Sequence, residues 1–295
     1  MFKYLRVKKE PEIVPQPERG LTVDSLSGAS DAPIRLVELN NLPENVKRRI
    51  YRGLLPANIL IRYEIDPFTW QGKNGLPLVH LTAQQDSGTV RISARKSENM
   101  EDEFFHLEIA DNPYQGIDLN FLILSDPDSP YYQTDFDEQG SPTLFGTLRR
   151  NRSEELRAMQ AGLAPGQNHA GLSSSRDTLQ QLEVFLSVLG QRAYFLEPLT
   201  YVSAWVFERR GFAYVRGHKL MEDIQREFQP GGQLHQALDG STPFRQPEQW
   251  NSVRGRGWAI HDGILSAIDA NWDKLRMIKQ VGRSANLETF PDARY

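Results

Sequence analysis

Residues 161–217 read AGLAPGQNHAGLSSSRDTLQQLEVFLSVLGQRAYFLEPLTYVSAWVFERRGFAYVRG, and they decide the fold. The first fifteen residues form a turn region rich in Gly, Pro and Ser. SRDTLQQLEVFLSVLG then has a helix start and a helix stop. Ser173, Ser174 and Ser175 offer hydroxyls to the unpaired amides of a first turn. Leu179, Leu182, Phe185, Leu186 and Leu189 recur at three- and four-residue spacing and so share one face. Gly190 suits a left-handed stop. Ala193 to Leu199 is short and almost wholly apolar, as expected of a strand covered on both faces. TYVSAWVFERRGF predicts a second helix, closed by Gly211 after the cationic residues Arg209 and Arg210. AYVRG predicts a second strand. Strand, helix and strand in succession imply a crossover packed on a sheet.

Upstream, Leu78–Thr82 and Thr89–Arg95 read as two strands. Phe104–Ala110 and Ile117–Leu124 read as a hairpin turning at Asp111–Gly116. The sequence therefore predicts an α+β fold: a mixed, largely antiparallel sheet flanked by helices. Leu42–Leu55 has helical spacing, with Asn41 as cap and Pro43 in the first turn. Asn58–Ile65 reads as β, Leu144–Leu148 as a short strand and Glu154–Ala161 as a helix. After Gly217 the expectation is a helix over Lys219–Phe228 and a last helix over His261–Lys279, capped by Asp262. The division expected is an extended arm over 1–40, an α/β domain over 41–217 and a C-terminal extension over 218–295 packed on it.

The chain has 295 residues, a net charge of −4 and no cysteine. Disulfides and thiolate chemistry are excluded. The charge shows no basic excess of the kind nucleic acid demands, and no apolar run reaches the roughly 18 residues of a membrane span. The basic start has no apolar signal core. The expectation is a cytoplasmic protein with a small-molecule ligand, and neither nucleic acid nor membrane as partner.

The element order resembles that of the GNAT acetyltransferase superfamily over about residues 59–217. Phe207-Glu208-Arg209-Arg210-Gly211-Phe212 is similar to the family's Tyr-Glu-Lys-x-Gly-Phe ending, with Ser203 at its small-residue position. The resemblance implies a fold of this class, with acetyl-CoA or another acyl-CoA as co-substrate and no metal. It places the pyrophosphate at the start of the helix from Ser174, in a loop made by Gly166, Gln167, Asn168, His169, Ala170, Gly171 and Leu172. A helix start suits phosphate because its amides are unpaired and its dipole is positive there. Gln167 fits the first position of the family's Gln/Arg-x-x-Gly-x-Gly/Ala pattern; Ala170 and Leu172 replace small residues. The family's catalytic tyrosine falls on Phe207 and its asparagine on Thr200. Tyr201, beside Thr200, is the hydroxyl expected to substitute. Among the carboxylates near the hairpin, Glu108 is the base expected toward an amine, against the alternative of solvated charge on a half-exposed sheet.

Two other motifs are weighed. His261-Asp262 could belong to a metal-dependent phosphohydrolase, but the six histidines are scattered without ligand spacing. Asp135-Phe136-Asp137-Glu138-Gln139-Gly140 opens like a calcium loop, but Gly146 stands where the closing glutamate is required. Segment 239–262 combines Arg245, Arg254 and Arg256 with Phe244, Trp250 and Trp258. Such a set fits recognition of a phosphate or carboxylate substrate. It also fits a subunit interface, hence a homodimer, or, as the first expectation, aromatics packed on the sheet with the arginines paired to the acidic loop at 126–138. Two functions follow: an acyltransferase moving an acyl group from acyl-CoA to an amine, or a GNAT-shaped binding or assembly module without catalysis.

Overall fold

The structure is a computed structural model and describes residues 32–100, 102–144, 146 and 148–295. Most of the expected arm lies outside the described residues. Where the description begins, Leu36–Asn40 forms a short helix, α1. Its first amides, Leu36 and Val37, donate to Asp111 at 2.9 and 3.0 Å, which ties this segment to the sheet. Helix α2 runs Glu44–Tyr51 and continues as a 3-10 turn, Arg52–Leu54. The β reading of Asn58–Ile65 is corrected: Ala57–Arg62 is a helix, α3, begun by Pro56. Ile59, Leu60 and Tyr63 are buried, an i, i+1, i+4 spacing that places them on one helical face.

Strands β1 (Val79–Thr82), β2 (Thr89–Ala94), β3 (Phe105–Asp111) and β4 (Ile117–Leu124) follow as expected. Residues 144, 146 and 148 are turn and bend rather than strand. Helix α4 spans Arg152–Gln160, with the Asn151 side chain accepting from the Glu154 amide. Next come α5 (Ser175–Val188), β5 (Ala193–Leu196), α6 (Tyr201–Arg209) and β6 (Ala213–Arg216). Gly190 and Gly211 stop α5 and α6 with φ of +73° and +86°, as their sequence positions require.

After β6 the helix expected over Lys219–Phe228 is present, and the chain then departs from expectation. Helices α7 (His218–Glu227), α8 (Gln233–Gln236) and α9 (Val253–His261) precede a 3-10 turn and strand β7, Arg276–Gln280. The long helix expected over 261–279 is absent. Asp262 is the C-cap of α9, not the N-cap of a later helix. Asp269 and Lys274 take left-handed φ of 52° and 54°, which interrupts any helical run.

Among the described residues the strands form one sheet, in the order β1-β2-β3-β4-β5-β7-β6. Its pairs are antiparallel except β4 with β5. β5 and β6 both run antiparallel to β7 and hence parallel to each other, with β7 between them. The fold is α+β. Helix α5 packs on the turn after α2, where Tyr51 meets Phe185 at 6.0 Å and the Gln181 amide donates to the Gly53 carbonyl. Helix α9 packs on α6. No helix among the described residues is long and apolar enough to cross a membrane.

Candidate functional site

The central irregularity of the sheet makes the site. β3 and β4 pair residue by residue until Glu108 faces Phe121 and Ile109 faces Leu119, so Asn120 is an extra residue on β4. A bulge bends its strand and increases the local twist. On the other edge β4 pairs with β5 only from Ile117 to Leu119, opposite Tyr194 to Leu196. Beyond the bulge the two strands part. A cavity of about 910 Å³ opens between them, walled by 119–125 of β4, 196–200 after β5, the inner face of α6 and the loop 161–171.

The edge of β4 along this groove is partly unpaired. The Leu124 carbonyl faces away from β3 and accepts from the Leu172 amide at 3.0 Å, whereas the Ser125 amide donates to Phe104 at 2.9 Å, toward β3. By alternation, the amide and carbonyl of Leu122 face the groove, and among the described residues no strand pairs with them there. Leu122, Leu124, Leu196, Leu199, Val202 and Val206 make the groove wall largely apolar.

At one end lies the start of α5. Ser173 has φ of 57°, and Ser174 caps the helix without a side-chain bond to it. Among the described residues the amides of Ser175, Arg176 and Asp177 meet no protein acceptor. The Ser174 hydroxyl is also buried without a partner. Arg210, from the end of α6, reaches across to the Ser175 hydroxyl with Nε and Nη2 at 3.3 and 3.1 Å. Burial and the charges of Arg176 and Arg209 push its pKa down, against the Asp177 carboxylate in the first turn, so arginines outnumber the one carboxylate at this helix start.

The loop expected to cradle phosphate is arranged differently. Gly166 to Gly171 line the groove, but Leu172 is packed in the core. Several amides are already used: Gln167 donates to the Ala164 carbonyl, Ala170 to the Ser129 hydroxyl and Leu172 to Leu124. Asn168 donates to Asp135 at 2.9 Å. His169 is 6% exposed, with Nδ1 beside the Ser129 carbonyl at 3.1 Å. The loop is thus stitched to segment 125–143, and the unpaired donors lie a few residues later, at the helix itself.

The two expected catalytic side chains are not in the groove. Tyr201 is 2% exposed and turned into the core against Trp272. Burial pushes its phenol pKa up, opposed by the charge of Arg256. It faces inward because Thr200 caps α6, accepting from the Ser203 amide at 3.1 Å, which fixes the start of the turn. Glu108 is bound by Arg91 at 3.0 and 2.8 Å and by Asn120 at 3.3 Å. Burial pushes its pKa up, but these hydrogen bonds and the Arg91 charge outweigh it and hold it low, which suits an ion-paired strand residue and not a base. Phe207 and Ser203, by contrast, do line the groove.

The arginines of segment 239–262 separate. Arg245 is neutralised by Asp262 at 3.0 Å. Arg256 is fully buried, donating to the Trp250 carbonyl and the Gln225 side chain with the Phe290 ring 3.5 Å away. Neither reaches the groove; Arg254 does. The metal motifs dissolve similarly. His261 bonds Glu155 at 3.1 Å, and Asp137 accepts from the Gln139 and Ser141 amides and from Arg149.

Two groove carboxylates were not among the expected site residues, although Asp135 opens the calcium-like motif. Glu197 pairs with Arg276 at 3.2 Å. Among the described residues the Asp135 carboxylate meets the Asn168 amide nitrogen alone, and burial, aided by the charge of Asp102, pushes its pKa up despite that bond. In the sequence Asp135 is one acid in an acidic loop; only the folding of that loop over the groove singles it out.

Comparison of the chain with protein-family models, with curated proteins and with solved structures finds no match.

Proposed function

We propose that the protein transfers an acyl group from acyl-CoA to an amine. The observation that supports this most directly is the groove between β4 and β5, which leads from a parting pair of parallel strands to a helix start with unpaired amides. An acyl-CoA has the matching sequence of chemistry: a polyanion, then a chain with two amide groups, then a thioester. The polyanion suits the amides of Ser175–Asp177 and the positive charge of Arg210 and Arg176. The two amides suit the unpaired β4 edge at Leu122, as an added strand would. The thioester then lies where β5 ends, with backbone of the 193–199 segment positioned to hold its carbonyl oxygen.

The chemistry is direct attack. The amine nitrogen bonds to the thioester carbon, the C–S bond breaks with its electron pair going to sulfur, and CoA leaves as its thiolate, which takes a proton from solvent. Asp135, its pKa already elevated, is available to take the proton that the amine sheds. Phe207 has no proton to give the sulfur, so the rate rests mainly on placing the two reactants together. A second reading, a binding module without catalysis, is favoured by that same phenyl ring and by the burial of Tyr201.

Thermal melting with CoA and acetyl-CoA tests the transferase reading. At a hundredfold excess over Kd, linkage adds about 2.7 kcal/mol, which at this size raises Tm by about 5 °C or more. No response to either compound rejects it. A response without thiol release across a panel of amines favours the module.

A further inference from the structure

We infer that Arg254 is an anion-binding residue of the groove, holding a phosphate or carboxylate of the molecule bound there. This rests on the reading of the groove as a ligand site. Arg254 lines the groove, and among the described residues no carboxylate forms an ion pair with it. Its Nε is buried without a partner. The guanidinium lies 4.2 Å over the Tyr295 ring, so an aromatic face supports its plane while Nε, among the described residues, has no acceptor. Gly162, at the turn after α4, lies beside it: a Cβ there would stand 3.4 Å from Arg254 Nη1, an ordinary contact.

The other groove charges do not answer it. Asp135 is bonded to Asn168 and Glu197 is paired with Arg276. A partly desolvated guanidinium without a counter-charge is costly to the folded protein, and Arg245, a few residues away, shows the ordinary solution, a carboxylate at 3.0 Å. At Arg254 the carboxylate or phosphate comes from the ligand, in the planar two-bond geometry that a guanidinium favours.

The test uses the full chain, Arg254→Gln and Arg254→Lys, with unliganded melting curves as the folding control. Calorimetric titrations use CoA, pantetheine and inorganic pyrophosphate; melting of the CoA-loaded protein is then followed with amino acids and their carboxamides. If the anion is a cofactor phosphate, Arg254→Gln weakens CoA and pyrophosphate about tenfold or more and leaves pantetheine unchanged. Arg254→Lys recovers part of the loss. If the anion is an acceptor carboxylate, CoA binds both proteins equally. Amino acids then stabilise the wild type, their carboxamides do not, and Arg254→Gln abolishes the effect. The inference is overturned if every probe binds Arg254→Gln as it binds the wild type, or if the wild type binds none of the anions. CoA bound equally by both proteins, with no carboxylate effect, removes the anion site and leaves the transferase reading. Pyrophosphate or amino acids bound through Arg254, with no affinity for CoA, does the reverse.

Discussion

Glu208 and Asp262 each looked like part of a functional motif, and each turns out to fasten the chain together. Glu208 stands in the Phe-Glu-Arg-Arg-Gly-Phe ending, yet its carboxylate accepts from the Tyr214 hydroxyl and from the amide and hydroxyl of Thr289. Asp262, read beside His261, accepts from Arg150 at 2.7 Å, Thr242 at 2.9 Å and Arg245 at 3.0 Å, with its side chain 2% exposed. Sequence supplies the residue type but not the partners, which lie 112 residues away in the case of Arg150. Burial pushes the Asp262 pKa up; the Arg150 and Thr242 hydrogen bonds and the arginine charges outweigh it, and the net displacement is downward. A carboxyl depressed in the fold stabilises above its unfolded pKa of about 3.9 and loses that contribution as pH falls through the folded value. Asp262→Asn is therefore expected to cost about 3 kcal/mol at pH 7. The gap between variant and wild type should close as the pH falls below about 4. Urea titrations at pH 7, 4 and 3 check this; a gap that is constant with pH would assign the loss to packing alone.

At the scale of elements, the helix–strand–helix–strand unit was legible because its periods are clean and its helix stops are glycines. The failures share a cause. Asn58–Ile65 and 261–279 both contain short apolar runs that fit either period, and composition alone does not arbitrate. β7 alternates over only five residues, with Met277 and Lys279 facing inward, too few to stand out from the apolar turn before it. The bulge at Asn120 has no sequence mark, since it is a mismatch between two strands and not a property of one. The start of α5 was recognised, although its donors are those of Ser175–Asp177 and not the preceding loop. This yields a prediction with opposite signs. Ser175→Glu places an anion in the first turn beside Arg210, which should stabilise the unliganded protein by about 0.3–1 kcal/mol. The same charge occupies the donors and repels a polyanion, so CoA binding should fall at least about tenfold, a loss of about 1.4 kcal/mol. Paired melting curves with and without CoA read both effects. If CoA raises the variant's Tm as it does the wild type's, the phosphates do not bind at this helix.

Across the whole molecule, the last quarter of the chain completes the sheet that begins at β1. β7 fills the position between β5 and β6, bringing Met277, fully buried, into the core with Leu275 and Phe290. Without it, two parallel strands would face each other across a vacant strand position, about 9–10 Å apart at normal strand spacing. Their inner edges would lose their hydrogen-bond partners, and Glu208 would lose Thr289. A chain ending at residue 217 is thus expected to lack a cooperative thermal transition and to be cleaved rapidly by protease. Supplying residues 218–295 as a separate chain during expression should restore both properties, since the missing strand pairs through its own edges. A 1–217 chain that melts cooperatively near the full-length Tm would instead make the C-terminal quarter an accessory. The groove would then have to close without Arg254 and Tyr295, and CoA binding by that shorter chain would measure how much of the site they supply.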